Sequence, residues 1–98
     1  MQLSNLLIIL AIKLVSSGPC RFISPIYDEL SVKHTDILFL HVDADECEEL
    51  TDDCEVEAFP TFLFYLNGKR TDDLEGASPE LLEEKLLLHA AKLASFIK

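Results

Sequence analysis

Runs of apolar residues alternate with amphipathic stretches along this chain. Leu6 to Val15 reads LLIILAIKLV and is followed by Ser16-Ser17-Gly18-Pro19. A continuous apolar run containing several Ile and Val, closed by turn residues, predicts a strand buried on both faces. It is too short to cross a bilayer, which takes about 20 residues. A signal peptide is the rival reading. Met1 to Leu6 carries no positive charge, Lys13 interrupts the run and no Ala-x-Ala site follows, which favours the strand.

Ile23, Ile26, Tyr27 and Leu30 then fall at i, i+3, i+4 and i+7, the spacing of one helical face. Pro25 lies within that pattern and predicts a kink. Ile37 to Val42 (ILFLHV) is a second strand. Strand, helix, strand makes a βαβ unit with parallel strands. A short helical segment follows around Glu46 to Asp53, with Leu50 expected to face inward. Thr61 to Leu66 (TFLFYL) is a third strand, aromatic and apolar. Asn67-Gly68 is a hairpin turn signal, and Arg70 to Glu75 is a returning strand polar enough for an edge. Ser78 and Pro79 form an N-cap and first-turn pair for a last helix with a buried stripe of Leu82, Leu86, Ala90, Leu93 and Ile97. The order is β-α-β-α-β-β-α, without an internal repeat or linker, and residues 1–98 read as a single domain.

Charge narrows the function. The 98 residues carry 18 Asp and Glu against 8 Lys and Arg, a net charge of −10. Nucleic acid and anionic membranes are poor partners for such a chain, because both are bound through clustered cations. Half of the acids, 9 of 18, lie between Asp43 and Glu57. Asp43 and Asp45 suggest the start of a calcium loop, but the glycine such a loop requires is replaced by Glu48, which favours a solvated acidic face. Cys20, Cys47 and Cys54 form no Cys-x-x-Cys pair, and His34, His41 and His89 are scattered. No structural metal site is expected, and no cofactor. Three reduced thiols in a cytosolic protein are the simplest reading.

Taken in order, several segments resemble the thioredoxin family, in particular its animal cytosolic members. They are Gly18-Pro19-Cys20 before a Pro-containing helix, Phe39-Leu40-His41-Val42-Asp43, Cys54-Glu55-Val56, Phe59-Pro60-Thr61-Phe62, Asn67-Gly68-Lys69 and Glu75-Gly76-Ala77. The match runs from about Leu7 to about Leu88. The resemblance implies an α/β thioredoxin-like fold, a mixed central sheet flanked by helices. It implies a cis peptide between Phe59 and Pro60, and a groove in which Ser16, Gly18, Pro19, Phe59, Pro60, Thr61 and Gly76 receive an extended segment of a protein substrate or thiol protein.

The chain departs from the family at the residues that carry chemistry. The family's Trp-Cys-Gly-Pro-Cys is here Ser16-Ser17-Gly18-Pro19-Cys20. Disulfide reduction needs one thiolate to attack and a second thiol to resolve the mixed disulfide. Ser17 replaces the attacking cysteine, and only the resolving position survives, as Cys20. A serine hydroxyl stays protonated without an adjacent base, whereas serine makes a good N-cap. The family's buried acid on the preceding strand aligns with Ala11. These differences predict a domain of redox ancestry that binds protein partners with its dithiol activity lost. The alternatives are a monothiol oxidoreductase using Cys20 and a non-enzymatic homodimer. Relative to the family, a first strand and helix are missing, which leaves Ile37 to Val42 as an open edge suited to pairing with a second copy. Cys47 and Cys54 match thiols linked to oxidative regulation in animal members. Seven residues of helix would hold their Cα atoms about 10 Å apart, beyond the reach of a disulfide without local unwinding.

Overall fold

A computed structural model describes residues 6–97. The element order is β1 (Leu7–Lys13), α1 (Gly18–Lys33), β2 (Leu38–Asp43), α2 (Glu48–Asp53), β3 (Thr61–Leu66), β4 (Lys69–Glu75) and α3 (Pro79–Ile97). These follow the order expected from the sequence, with boundaries shifted by one or two residues. Met1 to Asn5, part of the expected domain, lie outside the described residues, as does the side chain of Ile97.

The four strands form one sheet in the order β2-β1-β3-β4. β1 pairs parallel with β2 and antiparallel with β3, and β3 pairs antiparallel with β4. The parallel pair follows from the helical crossover, since α1 must carry the chain back before β2 can begin. The β3–β4 pair follows from the hairpin. Asn67 and Gly68 have φ of 55° and 83°, the left-handed pair that a tight turn matching strand twist requires.

β1 is central and buried on both faces. Leu7, Ile9 and Ala11 point into the main core with Phe62, Phe64, Ile23, Tyr27, Leu30, Leu82 and Leu86. Ile12 points to the opposite face, where a smaller cluster holds Val42, Ala44 and Leu63. The helices α1 and α3 cover the first face. Tyr27 links α1 to the sheet: its hydroxyl lies 2.9 Å from the Ile9 carbonyl and 2.8 Å from the Leu40 carbonyl. Burial pushes the Tyr27 phenol well above its ordinary pKa.

Three expectations need correction. Leu50 does not face inward. It is 40% exposed, and Thr51 takes the buried position, its hydroxyl donating to the Cys47 carbonyl at 2.9 Å. α2 is one short turn, so the choice of inward residue rests on how it seats on the sheet. Cys47 and Cys54 are also not members of that helix but the residues that flank it as N-cap and C-cap. Finally, the buried stripe of α3 includes His89, while Ala90 is only partly buried. Helix α1 runs unbroken through Pro25.

Candidate functional site

The site is assembled where β1 ends and β3 begins. The register sets Ile12 opposite Thr61 and Thr61 opposite Glu75. The chain leaving β1 towards Ser17, the chain entering β3 from Pro60, and Gly76 after β4 therefore emerge at the same end of the sheet. Leu14 and Phe59 line one cleft of about 370 Å³ at this end, together with Ala44, Asp45, Glu48 and Asp52.

Ser17 starts α1. Its N–H donates to the Leu14 carbonyl at 3.1 Å, which closes the turn out of β1. Its backbone is extended, with φ −76° and ψ 130°, and its Oγ accepts from the Cys20 N–H at 3.4 Å. This is N-cap geometry, in which a side-chain oxygen serves an N–H that the helix cannot. Ser16, Gly18 and Pro19 are exposed around it. Cys20, one turn in, is only 2% exposed. Pro25 has no N–H to give the Arg21 carbonyl. One residue earlier, the Ser24 hydroxyl donates to the Cys20 carbonyl at 2.8 Å.

The segment entering β3 at the same end of the sheet holds the cis peptide Phe59–Pro60. Pro60 is buried and its carbonyl accepts from the Gly76 N–H at 2.9 Å. The Thr61 hydroxyl donates to the Ala58 carbonyl at 2.6 Å. Gly76 has φ of 98°, a conformation that a side chain would strain. Phe59 packs on the smaller cluster beside Leu14.

The remaining two cysteines lie on α2's flanks. Cys47 is exposed. Cys54 is partly buried, with its Sγ 3.9 Å from the Tyr65 hydroxyl and its carbonyl accepting from Arg70 Nη1 at 3.2 Å. Burial, and then the contact with Cys54, push the Tyr65 phenol upward. All three thiols are free.

The sequence model of the thioredoxin family matches residues 8–87. The chain belongs to the thioredoxin family. It is 52% identical over 66 residues to human thioredoxin domain-containing protein 2, a stretch covering 67% of this chain but 12% of that protein. It is 40% identical over 92 residues to a Brassica oleracea thioredoxin H-type, covering 94% of this chain and 75% of that protein. Among solved structures, Fasciola hepatica thioredoxin is similar with a TM-score of 0.86 at 34% identity, over 88% of this chain and 83% of that one. Thioredoxin NaTrxh from Nicotiana alata gives 0.84 at 35% identity, over 87% and 74%. The thioredoxin fold is thus shared across nearly the whole described chain. No described helix is long and apolar enough to cross a membrane.

Sequence reasoning missed four residues that organise this domain. The helical spacing marks Tyr27 only as an apolar position, whereas its hydroxyl bridges two strands. Lys13 and Ser24 bond to each other at 3.1 Å, a contact between a strand end and a helix. His89 sits three residues after Leu86, a helical spacing that marks it, as much as Ala90, for the buried face.

Proposed function

We propose that this thioredoxin-family domain binds protein partners in the groove between the α1 N-terminus and the Phe59–Pro60 segment, without dithiol–disulfide turnover. In this reading it serves cell redox homeostasis in the cytoplasm as a binder. The observation that carries the proposal is the state of Ser17 and Cys20. Ser17 is engaged as the cap of α1, and Cys20 is 2% exposed. Reduction of a substrate disulfide requires a thiolate that can reach sulfur. An alcohol at the reachable position cannot form the mixed disulfide, and the thiol that could is screened. Burial of Cys20 equally disfavours the monothiol reading.

The groove elements remain. Ser16, Gly18 and Pro19 are exposed on one wall. In this reading the Phe59–Pro60–Thr61 segment would form the other, with Gly76 tied to Pro60. An extended segment of a protein substrate would lie between them. The test is insulin disulfide reduction by this chain and by Ser17→Cys in parallel. Turnover by the variant alone is expected. Turnover by the unaltered chain above an enzyme-free blank overturns the proposal.

A second reading, self-association through β2, is favoured by one observation. β2 is an edge of the described sheet, and Leu38 and Leu40 on it are 44% and 39% exposed. An edge strand with apolar side chains presents both unpaired backbone groups and apolar surface to a second copy. Sedimentation velocity across a concentration series tests it. A single monomeric species at every concentration rules it out.

A further inference from the structure

A second cleft, also of about 370 Å³, lies beside the first turns of α1, lined by Lys13, Leu14, Val15, Arg21, Ser24 and Pro25, with Cys20 and Asp28 completing it. That volume is within the range of about 300–1,000 Å³ typical of small-molecule sites. Its charge runs against the rest of the molecule. In a chain of net charge −10, two cations face the same cleft and neither has an ion-pair partner among the described residues. Lys33, Arg70 and Lys85, by contrast, each pair with a carboxylate.

Lys13 has an acid within reach of its strand position and does not use it. Asp43 is its register partner on β2, but the Asp43 carboxylate accepts from the Asp45 N–H at 3.0 Å. The Lys13 ammonium turns towards α1 instead and donates to Ser24 Oγ at 3.1 Å. An ammonium has three protons to give. The Ser24 hydroxyl donates to the Cys20 carbonyl, which leaves its oxygen to accept from the lysine beside the cleft. Arg21 lies in the first turn of α1, a turn with no acidic residue. A cation there is opposed by the helix dipole, so the same field that disfavours Arg21 would favour an anion beside it. Asp28, the acid on the cleft's lining, is already bonded to His41 Nε2 at 3.0 Å. Leu14, Val15 and Pro25 supply apolar wall next to this positive end.

We propose that this cleft binds a small organic anion, its carboxylate or phosphate group held by Lys13 and Arg21 and its apolar portion set against Leu14, Val15 and Pro25. The site shares Leu14 with the cleft beside Phe59 but does not depend on the partner groove's function, since its anion contacts use neither Ser17 nor Pro60.

The test is a titration of the full ¹⁵N-labelled chain, followed by amide shifts. Phenyl phosphate and phenylacetate are the probes, and they distinguish the two anionic head groups. Inorganic phosphate and phenol test the charged and apolar halves alone. Saturable shifts at Val15, Arg21 and Ser24 are expected with one or both organic anions, with weaker binding of either half. Loss of one charge-assisted contact should weaken binding by about tenfold. Arg21→Gln, at an exposed position, and Lys13→Gln should each show that loss, and Lys33→Gln, which removes a cation paired with Glu29 outside this cleft, should bind as the unaltered chain does. Shifts that do not saturate, that are unchanged by Arg21→Gln, or that inorganic phosphate reproduces at equal affinity would overturn the proposal.

Discussion

His89 Nε2 lies 3.0 Å from Asp72 Oδ2, joining the buried face of α3 to β4. Lys85 Nζ holds the other carboxylate oxygen at 2.8 Å, and the His89 ring stacks on Phe64 with centroids 5.3 Å apart. His89 is 2% exposed, and its Nδ1 has no partner among the described residues. An imidazole with one nitrogen bonded and the other buried bare is a costly core residue, retained here against a carboxylate that needs it.

This cluster sets an acid limit on stability. Partial burial raises the Asp72 pKa, but the hydrogen bonds from Lys85, His89 and the Asp73 N–H outweigh it and hold the group at about 2, against an ordinary value of 3.8. A carboxylate depressed in the folded state stabilises above its unfolded pKa, and that contribution is lost as pH falls towards the folded one. Thermal melts should therefore show Asp72→Asn losing less stability than the parent chain between pH 4 and pH 2. Equal acid slopes would show that Asp72 is not the group responsible. At pH 7, Asp72→Ala should destabilise by about 1–3 kcal/mol by leaving His89 and Lys85 unpaired. His89→Leu should cost less than Asp72→Ala, because it removes the bare Nδ1 together with the bond to Asp72 and keeps the Lys85 pair.

Ser17→Ala removes the cap of α1. Such losses cost about 0.5–2 kcal/mol. The 3.4 Å contact with the Cys20 N–H is long, so the lower half of that range is expected in urea denaturation. No change would mean that the hydroxyl is not a cap and is held for another purpose.

Tyr27→Phe keeps the ring and deletes one hydroxyl. The Ile9 and Leu40 carbonyls would lose the proton they share, at a cost of about 1–3 kcal/mol. Because Leu40 is on the edge strand, hydrogen exchange should quicken first in β2. Uniform quickening across the sheet would instead mark a global loss of stability.

Thiol reactivity should follow exposure. Under native conditions, iodoacetamide followed by mass spectrometry should modify exposed Cys47 first, partly buried Cys54 more slowly and Cys20 last. Early modification of Cys20 would reopen the monothiol reading, since it would show that the screened thiol is reachable.

Leu40→Lys places a charge on the open edge of β2, a common means of discouraging strand pairing. Leu40 is 39% exposed, so the melting temperature should change little. Any dimer detected by sedimentation should dissociate. A dimer that survives the substitution assembles through another surface.

Much of the chain was legible without coordinates, because local physics decided it. The run from Leu7 to Lys13 is a central strand since it has no polar face to expose. Asn67-Gly68 turns since its residues tolerate positive φ. Ser17 and Ser78 cap the helices they precede, with Ser78 Oγ accepting from the Leu81 N–H at 3.3 Å. The replacement of a family cysteine by Ser17 was also visible in the sequence, because it is a matter of residue identity. What only the tertiary structure decided is which polar atoms meet. Leu50 and Thr51 exchange places because a single helical turn has too little periodicity to fix its inward side. Asp72 and His89 are 17 residues apart and face each other only once β4 and α3 are packed on the same core. Lys13 bonds Ser24 on α1 rather than its register partner Asp43, whose Oδ1 accepts from the Asp45 N–H. Side-chain pairing across elements depends on register and packing angle, and these are settled by the whole fold at once.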